Sequence, residues 1–451
     1  MFKKQTLTIL LFLTFFLNVR SQIDTSFWFI APDISQGLGD RPIYLYFNTY
    51  AQATTVKVRQ PANGGFVPIT LNIPANSIDS INLTPFIANI ENSTANSILN
   101  NGLYISSTQK ISTLYSVRAA ANREYLSLKG PKALGIDFYI PMQEFWNQAP
   151  ATSPKSFSSF DIVASQNNTT VLITPKTAII GHAANATFTV LLQQGQSFSC
   201  QDTARTATTS LGGSIVSSNK PIAVTIQSSG LNQSGCLSSV ADQITNSTYI
   251  GTDYIVNKGT ATTEKIFILA TQNNTQITIN DGSTTTHVAN FGETYVYTAT
   301  QPVTYVKTNK PAYVLHVSGY GCRLSGAQLP PFFCAGTFTS SFTRASSDSL
   351  ALNLFTRTGF EGNFALNGNA SLIPASAFTI VPGSSGNIKS AKIYYSTAVI
   401  PVGSHNEVTN TGDVFGLGIL NGAYNKGSAY SYVSEFESYP SINAGSDFTI
   451  C

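Results

Sequence analysis

"SQNNTTVLITP", Ser165 to Pro175, and "TQNNTQITIND", Thr271 to Asp281, are near-copies set 106 residues apart. In each, two runs rich in β-branched and apolar residues flank an Asn-Asn pair: "SFDIVAS" and "TVLITP" in the first copy, "EKIFILA" and "QITIND" in the second. Asn enters the left-handed backbone region more readily than most residues with a Cβ, because its short amide can bond locally. Two strand-like runs joined by such a pair read as a hairpin. The phrase is therefore expected to be scaffolding, not a site.

The copying extends beyond the phrase. After the first copy come "FTVLLQQGQSFSC", "GGSIVSSNKPIAVTIQSSG" and "YIGTDYIV"; after the second come "VANFGETYVYT", "VTYVKTNKPAYVLHVSGYG" and "FCAGTFTSSF". The order is kept: hairpin, strand with a Gly turn, strand–turn–strand around "NKP", and a Gly-led closing strand. Upstream, "VPITLNIPANSIDSINL", "GLYISSTQKISTLYSVRA" and "LGIDFYIP" follow the same order. Lys110, Lys220 and Lys310 mark one turn of the repeat, and Gly135, Gly251 and Gly336 mark the closing strand. Fixed order with drifting length is what repeated units with variable loops produce. The expectation is an all-β fold of about four tandem antiparallel units, at 27–141, 156–256, 263–342 and 347–436. Each is sandwich-like, since a propeller blade needs only about 40–50 residues. A β-propeller-like arrangement is the alternative.

Composition agrees. Of 451 residues, charged residues make up 10% and aromatics 11%, with Ser, Thr and Asn carrying the polarity. This mix favours strands and turns. The net charge of +3 has no basic cluster, which argues against nucleic acid as a partner. Lys3 and Lys4 precede the apolar run "LTILLFLTFFL", the pattern of a signal peptide over residues 1–21 cut before Gln22, and no later run suits a membrane span. Export permits disulfides. Cys322 and Cys334 flank "CRLSGAQLPPFFC" and would staple that loop, while Cys200 and Cys236 flank a candidate strand pair. Cys451, the last residue, is left over, which implies a partner beyond the sequence or a free thiol.

Several of these stretches carry a family resemblance. "SVADQITNSTYIGTDYIVNKGTATTEKIFILATQNNTQITI", "NKPAYVLHVSGYGC", "GAQLPPFFCAG", "GFEGNFALNG" and "VFGLGILNG", in this order, resemble the IgGFc-binding protein N-terminal domain family of large exported bacterial proteins. The similarity runs from about Phe27 to Phe436. It implies a secreted or cell-surface adhesion module over residues 22–439. The closing "PSINAGSDFTIC" resembles the start of a following Ig-like or PKD-like repeat, over 440–451. Immunoglobulin binding does not transfer with the resemblance, since no residue motif carries it.

No catalytic constellation stands out. Ser217 and Lys220 form an S-x-x-K spacing, but Pro221 follows at once, which reads as a turn. His182, His287, His316 and His405 show no metal-ligand spacing, and His316 lies in a strand pattern. Asp281-Gly282 reads as a hairpin turn, and Trp28 as core. Trp146, in the loop "MQEFWNQAPATSP", and Asp242 with Gln243, read as part of a long loop near Cys236, are the candidates for a ligand surface. The expected function is non-catalytic binding of an extracellular protein or glycan, with no cofactor, no metal and no membrane insertion after signal cleavage. The alternative is a carbohydrate-active enzyme or its binding module, which needs a carboxylate pair in a cleft.

Overall fold

The computed structural model describes residues 22–436, apart from 35, 150, 151, 154, 333, 334, 425 and 435, and the backbone of 442–443 and 449–450. The expected signal peptide, Cys334 and Cys451 lie outside the described residues, as does most of 440–451. The regular structure is almost all β and nearly all antiparallel, as expected. Four strands, each with a hairpin partner, organise it: Leu103–Arg118 (β1) with Arg123–Ser127 (β2), Ile215–Gln233 (β3) with Cys236–Ile244 (β4), Val303–Gly321 (β5) with Arg323–Gln328 (β6), and Phe415–Gly422 (β7) with Ser428–Tyr432 (β8).

The second unit shows the plan. The first half of β3 pairs with Thr169–Thr174, which pairs outward with Phe188–Leu192. The second half of β3 pairs with Ser158–Ala164, which pairs outward with Ser197–Gln201. The result is one sheet bent where β3 passes from one half to the other, so that two leaves face each other. Period-2 alternation turns Phe160, Ile162 and Ala164 of one leaf and Val171 and Ile173 of the other onto a shared core with Val216, Val224 and Ile226 of β3. Cys200 is buried there as a free thiol.

This geometry corrects two local readings. Ser158–Ala164 and Thr169–Thr174 do not pair with each other, so the Asn-Asn phrase is not a hairpin. It is the corner at which the chain passes between leaves, and both runs pair with the same long strand. Nor is "SSNKP" a turn between two strands, because β3 runs through it unbroken. Ser217 and Lys220 thus lie on a strand.

The corner is locked by side chains. Asn168 takes the left-handed conformation at φ 54°. The Lys220 Nζ donates to the Asn167 carbonyl at 2.6 Å, the Asn219 Oδ1 accepts from the Thr170 N–H at 2.8 Å, and the Asn167 Oδ1 accepts from the Gln194 N–H at 3.0 Å. In the third unit Asn274 has φ 56°, Lys310 donates to the Asn273 carbonyl, Asn309 accepts from Gln276, and Asn273 accepts from Phe291. The recurrent Lys and Asn are therefore two halves of one clasp. The first unit keeps the bend but closes it with a Thr54–Thr108 hydroxyl pair at 3.1 Å.

The first three units share this strand order, and the fourth splits into a five-stranded and a three-stranded sheet. The Gly-led strands are handed forward: Gly135–Tyr139 pairs with β3, and Gly251–Asn257 with β5. Each Gly-led strand thus sits in the sheet of the unit that follows it. The hairpin partners meet at the centre. β2 packs against β4 and β8, and β6 also packs against β4 and β8, so the four units close into a ring. A similar side-chain-to-backbone bond recurs at each seam: the N–H groups of Ser239, Leu324, Tyr430 and Ser127 donate to Asn122 Oδ1, Ser238 Oγ, Ser325 Oγ and Ser431 Oγ, at 2.6, 2.9, 3.1 and 3.1 Å. Within a unit the two-leaf reading applies; between units the arrangement is a ring about an axis.

The disulfide expectation is also corrected. Cys236 bonds to Cys322, with Cα atoms 5.6 Å apart, so neither neighbour-in-sequence pairing involving them forms. The two occupy equivalent turns, β3–β4 and β5–β6, and the bond staples the second unit to the third.

Candidate functional site

Ring seams leave clefts between units, and the one between the first and second units concentrates charge. The segment after the strand Asp24–Phe29 carries Asp33, Asp40 and Arg41. A short helix, Ile87–Ile90, leads to Glu91, which bridges to Ala31. Across the cleft the second unit supplies Lys155, Phe157, Gln201 and Arg205. The cavity measures about 560 Å³. The seam beneath it is firm. The Thr225 hydroxyl of β3 donates to the Ile30 carbonyl at 2.8 Å and the Gln227 amide to the Asp33 carbonyl at 2.7 Å. Asn92 donates to Asp161 at 3.0 Å and accepts from Ser197 at 2.9 Å.

The cleft holds two kinds of carboxyl. Asp40 accepts a bidentate fork from Arg41, at 2.7 and 2.9 Å, with the guanidinium half-exposed towards solvent. Such forks present a planar, charge-assisted surface. Glu91 is only 6% exposed, and its Oε1 has no hydrogen-bond partner. Burial, then the charges of Asp33 and Asp40, push its carboxyl up to about 10. Burial, then Asp40, pushes Asp33 up to about 6. At neutral pH Glu91 is therefore a neutral acid, able both to donate and to accept, beside the Asp40–Arg41 ion pair. Arg205, at φ 58°, stands on the rim and opens onto a second hollow of about 490 Å³ shared with Lys155. Among the described residues no group of three or more His, Cys, Asp or Glu is placed to hold a metal.

A second cleft, about 470 Å³, separates the second and third units. Glu144, Lys176, His287 and Glu293 line it, and burial lifts Glu144 to about 7.

None of the residues expected at a ligand surface is there. Trp146 is buried in the second unit's core, edge-on to Phe145, and its N–H and carbonyl are both bonded to Gln143. Asp242 and Gln243 lie on β4 and are buried at the axis. Asp242 accepts from Lys129 Nζ at 2.8 Å and from the Gln328 N–H at 2.9 Å; Gln243 bonds the Lys129 N–H and the Trp28 carbonyl. They tie three units together. Trp28 is buried, as read, and so is His316, which stands 3.2 Å from Glu264 and 3.0 Å from the Tyr430 hydroxyl. Asp33, Asp40 and Glu91 went unread because no motif joins them. The only cue was two aspartates in a Gly/Pro-containing loop, "APDISQGLGDRP".

A bent-sheet ring with polar clefts at its seams defines an all-β scaffold of repeated units, and comparison supplies the family. The sequence model described as IgGFc binding protein matches residues 124–418, more than half of the chain, and the chain belongs to that family. No curated protein matches it. Among solved structures, a biofilm associated protein BSP domain aligns over 93% of this chain and 97% of that one, at 7% identity and a TM-score of 0.14, a likeness that carries no argument. Among the described residues no helix is long and apolar enough to cross a membrane.

Proposed function

We propose that the chain is a non-catalytic, secreted or cell-surface binding module that takes an extracellular protein segment or glycan in the cleft between its first two units. The observation that supports this is Glu91: a buried carboxyl with one oxygen unpartnered, lining an open cavity beside the Asp40–Arg41 fork. Leaving such a group unsatisfied costs about 1–3 kcal/mol, a cost that a ligand's hydroxyl or amide removes. Neutral acid, ion-paired fork and the cationic Lys155 and Arg205 together suit a hydroxyl- or amide-rich ligand. The test is binding of the wild type, Arg41→Ala and Glu91→Gln to a glycan array and to immobilised immunoglobulin G, the protein in the family's name. Binding lost in both variants supports the reading, and binding unchanged in both removes the cleft from it.

One observation favours a second reading, a carbohydrate-active enzyme. Glu91 and Asp33 share a cleft but hold their protons differently, which is the requirement for an acid and a base. Release of reducing ends from a bound glycan would select it over binding alone.

A further inference from the structure

We propose that Lys129 and Asp242 form a covalent amide across the ring axis, joining the first unit to the second. The two side chains meet at 2.8 Å from Nζ to Oδ1, and each is only 1% exposed. Both are held in place. The Lys129 N–H donates to the Gln243 Oε1 at 2.8 Å, its Nζ also donates to the Gln243 carbonyl, and the Phe436 ring covers the Nζ at 5.1 Å. The Asp242 Oδ2 is fixed by the Gln328 N–H at 2.9 Å. The amine is therefore held at hydrogen-bond range of the carboxyl, in a site closed to water. Fixing two reactants this way replaces an encounter with an effective concentration of about 10⁵ M or more.

Burial also removes the usual obstacle. In water an amine and an acid ionise each other, and the ammonium has no lone pair with which to attack. In a dry core the neutral pair competes, because two desolvated charges are costly. Burial pulls the Lys129 amine down and pushes the Asp242 carboxyl up, each opposed by the partner's charge. A further carboxyl, Glu124 on β2, is fully buried nearby, and burial pushes it up, with Asp242 adding to the shift. Its Oε2 accepts from Ser325 at 3.1 Å, and its Oε1 is unpartnered.

The step balances without a co-reactant. The neutral Lys129 Nζ adds to the Asp242 Cγ, the N–C bond forms, and one nitrogen proton passes to the carboxyl hydroxyl. The C–O bond then breaks, and one water leaves. No electrons change hands.

The test is the mass of the purified full chain after complete reduction of its disulfide, followed by tryptic mapping under denaturing conditions. The expected result is a mass short by one water, with a branched peptide joining the Lys129 and Asp242 segments and no cleavage after Lys129. Lys129→Arg should restore the full mass, and Asp242→Asn should lose ammonia in place of water. The wild-type measurement stands alone if either variant fails to fold. A full-mass wild type yielding linear peptides cut after Lys129 overturns the proposal.

Discussion

Glu91→Gln tests the cleft through stability. In the folded protein burial, reinforced by Asp33 and Asp40 and opposed by Arg41, lifts the Glu91 carboxyl from 4.5 to about 10. The folded state thus keeps a proton that the unfolded chain releases above about pH 4.5. A raised carboxyl works against the fold: stability falls as pH climbs from the unfolded value towards the folded one, at about 1.4 kcal/mol per pH unit. By pH 7 the wild type has given up as much as about 3 kcal/mol. Glutamine keeps the shape and has no proton to lose. The variant should match the wild type near pH 4 and exceed it by up to about 3 kcal/mol at pH 7. Urea unfolding across that range, followed by the fluorescence of buried Trp28 and Trp146, reads the difference. A gap that stays constant with pH would show that Glu91 is not a desolvated acid, and the argument for the cleft would go with it. Under the proposed function the same substitution weakens ligand binding while stabilising the fold, the usual signature of a site kept at the expense of stability.

Three further outcomes follow from the scaffold. Asn274 sits at φ 56°, so Asn274→Val should cost about 1–2 kcal/mol in thermal melts while Asn274→Gly changes little. The Cys236–Cys322 bond closes a separation of 86 residues, so Cys236→Ser should lower stability by about 2–4 kcal/mol, and buried Cys200 should resist alkylation until the chain is denatured. At Glu264, burial pushes the carboxyl up but is outweighed by His316 and the Gly259 N–H, leaving it below 4.5. Its contribution is present above the unfolded value and lost as pH falls through the folded one. Glu264→Ala should cost about 3–5 kcal/mol near pH 7, with a smaller difference in acid unfolding curves.

The strand content and the repeat were legible because period-2 patterning and Asn/Lys spacing are local signals. The corner was not, because an Asn at positive φ between two apolar runs serves a hairpin and a leaf-to-leaf bend equally well. Only pairing with β3, some fifty residues on, separates the two. Proximity in sequence misled the cysteine reading, yet a better cue was present. Gly235-Cys236 and Gly321-Cys322 are equivalent positions of successive units, and neighbouring units bring equivalent turns together. Trp146 shows that a loop need not be surface: the third unit covers it, with Phe267 at 6.2 Å. The cleft was invisible because its carboxyls come from separate loops that only the seam unites.

The closed ring also decides how the molecule meets tension. Gln22 donates to the Ser434 carbonyl at 2.7 Å, so the two ends of the described body lie side by side at a single seam. A pull applied through residues 22 and 436 therefore loads that one junction in peel, while the clasped corners and the stapled second and third units stand outside the line of force until it opens.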